Sequence, residues 1–371
     1  MNQNIKYLIE SFIDDEDIQE DSYIEIERSS IYDDTINSII NKDNPYMSAV
    51  EFLDILDIYK TQGIKYEVRD YDVLKTILTA IFRFQDNELY TLKWLDITHI
   101  DDISKLFSDM PEITDTKWLK DLDVSKVKNM SGLFAKCSNL TDLSGLSEWD
   151  TSNVEDMSLM FFSSGVYDLT QLKNFNVSKV KSMAMMFCNT SINTLNGLEN
   201  WNTAKVISMQ SMFGYCMRLY DIEALYHWNT SSLQNIEFMF GYCNHISSLY
   251  YLVNWDVSNV SDMAGFAQGT HIRSLKGLEN WNTQTIKNMT KAFASCKMLV
   301  DISDIANWNL SSIGILSELF IDCIQITDAT ALNSWSFSPS VLTKDVFKNC
   351  VALKSDKTPV WAKSIYIKSV F

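Results

Sequence analysis

Apolar positions along the chain recur every 26 or 27 residues. Each period opens on a large apolar residue: Leu95, Leu122, Trp149, Phe175, Trp201, Trp228, Trp255, Trp281, Trp308 and Trp335. Five residues on stands Ile, Val or Leu (Ile100, Val127, Val154 and their successors), and eight residues on Met, Ile or Leu (Met130, Met157, Met183). Twelve residues on stands Phe, from Phe107 and Phe134 to Phe320 and Phe347, with Ala267 as the exception and Phe266 beside it. Offsets of 5, 8 and 12 lie on one face of a short helix, so a helix is predicted there in every period. Asp or Asn follows the anchor (Asp123, Asp150, Asn176), as an Asx turn requires. Ser125, Ser152 and Ser178 then stand where an N-cap hydroxyl would sit, and Ser152 with Glu155 has capping-box spacing.

A second apolar rhythm closes each period in steps of three: Leu140, Leu143 and Leu146, or Leu219, Ile222 and Leu225. Short apolar segments recurring once per period predict a brief strand and a bend, stacking into a parallel sheet. No single period buries its apolar side alone, so stacking supplies the core and both ends need covers. The expected fold is an α/β repeat: a solenoid of about ten 26–27-residue turns behind an α-helical N-terminal cap.

Residues 1–94 fall outside the period and form the expected cap, with helices over 48–62 and 72–85. The repeats occupy 95–353, and residues 354–371 are expected to cover the last turn. Net charge is −17, and the first 94 residues carry 20 acidic against 9 basic side chains, most densely from Asp14 to Asp21. That balance disfavours nucleic acid and anionic membrane surfaces. The N-terminus lacks a secretory pattern, no run is long and apolar enough for a membrane helix, and the 7 Cys show no C-x-x-C spacing. A cytoplasmic or particle-associated protein, without membrane insertion, is therefore expected.

The unit WDTSNVEDMSLMFF at 149–162, preceded by AKCSNLTDLSGLSEW at 135–149, resembles the BspA-like leucine-rich repeat family. The family pattern is an aromatic residue, Asp/Asn, Thr-Ser, Asn-Val, two residues, Met, then Met-Phe, a Cys and spaced Leu. The resemblance covers about residues 95–353 and implies a leucine-rich-repeat solenoid with a binding role. Many relatives of this kind are bacterial surface proteins implicated in adhesion.

Candidate chemistry is sparse. Cys137, Cys216, Cys243, Cys296, Cys323 and Cys350 recur three residues after the Phe position, as a small buried residue would; only Cys188 is out of register. The four His fall at unrelated offsets, so no catalytic residue, metal site or cofactor is expected. Recognition is placed between the closing apolar residues, where three successive repeats offer Tyr220, Asp221 and Glu223, then Tyr250 and Tyr251, then Arg273 and Lys276. Tyr and Arg together have the composition of interface hot spots. An acidic strip at Asp142, Asp168, Asp221, Asp301 and Asp328 flanks them. The expected function is a non-enzymatic scaffold that binds a protein partner on its sheet face. The alternative is a structural or surface component, either a phage virion protein or an adhesin exported without a classical signal.

Overall fold

A computed structural model describes residues 65–83 and 92–362. The chain divides into two compact units, Met1–Asp101 with Trp118–Lys126, and Asp102–Lys117 with Val127–Phe371. The division falls inside the first two repeats.

In the first unit, strand β1 (Tyr66–Glu67) pairs in parallel with β2 (Leu95–Asp96), Tyr66 opposite Leu95. Between them lies helix α1 (Tyr71–Arg83), within the stretch where a helix was expected. The Asp70 carboxylate caps it, accepting the N–H groups of Asp72 and Val73 at 2.8 and 3.1 Å. Leu74, Ile77, Leu78 and Ile81 form its buried stripe, and Phe82 packs against Trp118 with ring centroids 5.4 Å apart. The helix expected over 48–62 lies outside the described residues.

In the second unit the repeats stack as coils, each hydrogen-bonded to the next. The apolar positions read from the spacing are buried: the Met, Ile and Leu residues eight after each anchor and the Phe residues four further on are almost wholly inaccessible. Their backbone, however, differs from expectation. The segment predicted as a helix is a run of tight turns, and the segment predicted as a strand is a 3-10 turn in most coils, as at Ser144–Leu146, Glu223–His227 and Tyr250–Leu252, and in two others a plain turn with a left-handed glycine, Gly197 or Gly277. A step of three is the period of a 3-10 helix, which places Leu143 and Leu146 on the same side. Among the described residues β1 and β2 make the one sheet. The expected continuous sheet is replaced by isolated parallel bridges in two rows. One row runs through Asn129, Asp156, Ser182, Ser208, Asn235, Asp262 and Asn288; the other includes Thr194–Asp221 and Ser274–Asp301.

The tight-turn segment has a regular mechanism. Alternate N–H groups bond to the next coil: Met130 to Asp156 O, Gly132 to Ser158 O, Phe134 to Met160 O and Lys136 to Phe162 O. Those between close turns on their own coil, Leu133 to Met130 O and Cys137 to Phe134 O. This alternation requires two left-handed residues per coil, ten and fourteen positions after the anchor. They include Leu159 and Ser163, Met185 and Asn189, Phe238 and Tyr242, and the glycines Gly265 and Gly269. No β-branched residue has a positive φ among the described residues, as expected where a branched Cβ would crowd the backbone. An α-helix would leave the N–H groups no free partner across coils, and so would forfeit the stacking bonds.

The Asx turns are present and more numerous than expected. The residue after the anchor accepts the N–H two positions on (Asp150 from Ser152, 3.0 Å), so these serines supply a backbone N–H in place of a helix-capping hydroxyl. Glu155 makes no capping box and instead meets Lys181 of the next coil at 2.5 Å.

The core is built of columns. Phe134, Phe161, Phe187, Phe213 and Phe240 stack with centroids 5.7–5.9 Å apart. Ala267 interrupts the column, and the neighbouring Phe266 turns edge-on to Phe240 and to Trp281. Each Trp from Trp201 onward donates its indole N–H to a carbonyl of the preceding coil, Trp228 to Leu198 O at 3.0 Å for example. Burial of the amphipathic indole thus leaves no orphan donor. Trp361 continues this series, stacking on Trp335 and donating to Leu332 O at 2.9 Å. It is an eleventh anchor that the sequence reading passed over. Residues beyond 362 in the expected C-terminal cover lie outside the described set.

Candidate functional site

The thiols are structural. All 7 Cys are free and buried. The six in register approach the carbonyl above the Phe column of the preceding coil, as Cys216 does Phe187 O and Cys243 does Phe213 O, at 3.0–3.2 Å. In three of the 26-residue coils the same place holds Ser164, Thr190 or Thr270, whose hydroxyl bonds the carbonyl of its own coil at 2.7–2.8 Å. From the Leu122 coil on, the position therefore selects a small side chain with a hydrogen to give, a role the sequence reading had reduced to small and apolar; in the first coil Met110 holds it. Burial pushes the Cys137 and Cys216 thiols up to about 12 and Cys188 to about 11, away from nucleophilic reactivity.

The carboxylates of the acidic strip are also accounted for. Asp142, Asp168, Asp221, Asp301 and Asp328 each accept the N–H two residues on, at 2.8–2.9 Å, and so open the 3-10 turn. Burial alone would raise Asp142, but hydrogen bonds from Ser144 and Lys117 outweigh it and hold the carboxyl below its usual range. Lys357 and Thr330 hold Asp328 well below that range. Among the described residues no group of three His, Cys, Asp or Glu is placed to hold a metal ion. No described helix is long and apolar enough to cross a membrane.

The seven residues expected to form the recognition site sit on the edge of three successive coils where the closing turns lie, 3-10 turns at Glu223–His227 and Tyr250–Leu252 and a plain turn at Lys276, so the expected sheet face is corrected to this edge. Tyr220 is 58% exposed and Tyr250 45%; Glu223, Arg273 and Lys276 are exposed and Tyr251 half-buried. The Tyr251 hydroxyl donates to Glu223 across coils at 3.4 Å, and Glu223 holds that phenol above its usual pKa. The Lys276 ammonium lies 5.7 Å from the Tyr250 ring centroid, while Tyr250 meets Tyr251 edge-on. Neither Arg273 nor Lys276 forms an ion pair with a described residue, although the Lys276 charge reaches Asp304. Asp221 belongs to the turn that presents the patch. Tyr167, 53% exposed, occupies the position equivalent to Tyr220 two coils earlier; the sequence reading missed it because its coil is one residue shorter.

A second surface feature escaped the sequence reading. Tyr215, Phe238 and Tyr242 cluster with centroids 5.1–5.7 Å apart on the left-handed positions of two coils. Its signal is the duplicated FGYC at 213–216 and 240–243, followed by glycines at the matching positions of the next coil.

Comparison with known families decides the repeat's affiliation. Three overlapping matches to the family described as "Mycoplasma protein of unknown function, DUF285" cover residues 76–194, 166–272 and 247–361, most of the chain. The chain belongs to this family. The DUF285 matches thus span the coils and reach back into α1. No curated protein matches the chain. Among solved structures it is similar to a leucine-rich repeat protein from Bacteroides ovatus ATCC 8483, with 14% identity over 62% of this chain and 63% of that one, and a TM-score of 0.28. The chain thus spans less than two thirds of that protein, and a likeness at this score carries no argument about shape or role.

Proposed function

We propose that this DUF285 chain is a BspA-like leucine-rich-repeat solenoid acting as a non-enzymatic scaffold for protein recognition, with the Tyr220–Lys276 patch as its contact surface. The observation that carries the reading is the alignment of exposed Tyr220, Tyr250, Arg273 and Lys276 along one edge of adjacent coils. Cations without ion pairs beside exposed phenols form a surface of the kind enriched at interface centres. The buried Trp, Phe and Cys residues have structural partners, so they supply no competing chemistry.

Photo-crosslinking tests this directly. A benzophenone amino acid replaces Tyr220 or Tyr250 in turn, and in a control replaces the exposed Lys128. A discrete adduct to one protein from the two Tyr positions, absent from the control, is the expected result. Equal labelling from all three positions contradicts the proposed contact surface.

A further inference from the structure

The row of left-handed positions carries a second surface whose composition changes along the stack. Toward one end these positions are tied by the cross-coil ion pair Lys136–Asp109 at 2.9 Å, and toward the other by Lys291–Glu318 at 3.3 Å. Between them charge disappears. Across the five coils from Ser158 to Gly269, the two left-handed positions and the residue before each hold a single charged side chain, Glu237, which accepts from Gln210 at 2.8 Å. The stretch spans about 20 Å at the ~4.8 Å spacing of hydrogen-bonded chains.

At its centre lies the Tyr215–Phe238–Tyr242 cluster. Tyr215 is 42% exposed, and the other two rings are half-buried. Tyr215 stacks on Tyr242, interplanar angle 14°. Beyond Tyr242 the next coil presents bare backbone, since a Cβ at Gly269 would stand 2.8 Å from its ring. A Cβ at Gly265 would stand 2.7 Å from the Phe238 ring. The rings therefore lie against glycine backbone. The backbone alone does not call for aromatic rings: the same positions in other coils hold Lys, Asp, Glu, Ser, Asn, Gly, Leu159 or Met185. Apart from Glu237, which Gln210 engages, the polar side chains around the rings are neutral amides. Gln268 donates to the Tyr242 hydroxyl at 3.1 Å, and the Asn244 amide donates to Tyr242 O and Gly269 O.

We infer that this strip binds a neutral carbohydrate chain. The negative face of a phenol ring takes the C–H face of a sugar ring, and amide side chains at its edge exchange hydrogen bonds with hydroxyl groups. A neutral ligand brings no charge to be desolvated on a surface lacking counter-charges. The protein's net charge of −17 disfavours acidic glycans.

The test is calorimetric titration of the full chain with cellohexaose, laminarihexaose, maltohexaose, chitohexaose and mannohexaose, and with heparin as the acidic control. Binding of at least one neutral hexasaccharide is expected, unchanged between low and high salt, with no binding of heparin. Tyr215→Ala should weaken it roughly ten-fold, the weight of one ring contact. That side chain is exposed, so the melting temperature should hold; Gln268→Ala provides a second variant with little call on the fold. Tyr250→Ala should leave sugar binding intact, which separates this site from the protein-recognition patch. Failure of all five neutral sugars to bind overturns the inference, as does binding indifferent to both Tyr215→Ala and Gln268→Ala. A protein adduct from a photo-crosslinker at Tyr215, with no sugar bound, would reassign the strip to protein recognition and overturn it likewise.

Discussion

The two halves of a coil face the same stacking problem and solve it differently. The tight-turn half, from Met130 to Cys137 in the Leu122 coil, sends every second N–H to the next coil and needs left-handed residues to do so. The 3-10 half, from Asp142 to Leu146, opens on an Asx turn, closes on Leu146 N to Leu143 O, and meets the preceding coil at one place, where Asp142 and Gly145 bond to Thr114 and Thr116. The first half admits any unbranched side chain at its left-handed positions. The second leaves its side chains free to vary, and the exposed Tyr220, Tyr250 and Arg273 lie there. Regular backbone demand thus governs one half, while the other is open to recognition.

The largest expected effect strikes the joint between them. Trp228→Ala removes a buried ring and the bond to Leu198 O, and should cost ~3–5 kcal/mol in urea denaturation. An unchanged midpoint would mean that the anchor column does not hold the coils together. Next, in the 3-10 half, Gly145→Ala would place a Cβ 1.7 Å from Thr116 O; a loss of roughly 1–3 kcal/mol is expected. At Gly314 a Cβ would have only Lys287 O at 3.4 Å, so Gly314→Ala should be near neutral. Equal losses at the two glycines would contradict the close approach at Gly145.

In the tight-turn half, Ser295 has φ of 56°. Ser295→Val should destabilise by about 1 kcal/mol or more, and Ser295→Gly should not destabilise at all. The reverse order would show that this half is not built on left-handed residues. The smallest effect concerns the Asp328–Lys357 pair, 2.8 Å apart and half-exposed. Lys357 depresses the folded pKa of Asp328 below its unfolded value. The associated stability is therefore present above about pH 4 and lost as the pH falls toward the folded value. Lys357→Ala should lower the stability of the last coils slightly at neutral pH, and the difference from wild type should shrink as the pH falls below about 4; no difference at neutral pH would show that the pair contributes nothing.

Much of the stack was legible because burial leaves a period in the sequence. Ten of the eleven anchors, the Met and Phe positions and the Asx residues directly after the anchors were found from spacing alone. The local backbone was not, since apolar residues three apart suit an α-helix, a 3-10 turn or successive tight turns equally well. Phe134 and Met130 look helical by spacing, yet their N–H groups bond to the next coil, a partner no single coil reveals. Trp361 was missed because the residues around it no longer fit the repeat. For the recognition edge, the sequence named Tyr220, Tyr250 and Arg273 but not the turn backbone beneath them. The Tyr215 cluster went unread because its rings sit where other coils carry Lys, Ser or Asn, so periodicity gave no warning.

The claim that the coils serve as structure while the closing-turn edge serves recognition is tested most directly by paired affinity capture from native lysate. Wild type is compared with Tyr220→Ala/Tyr250→Ala/Arg273→Ala, after both are shown to melt at the same temperature. The account predicts a protein retained by wild type and lost by the variant. Equal retention of the same protein by both would contradict it.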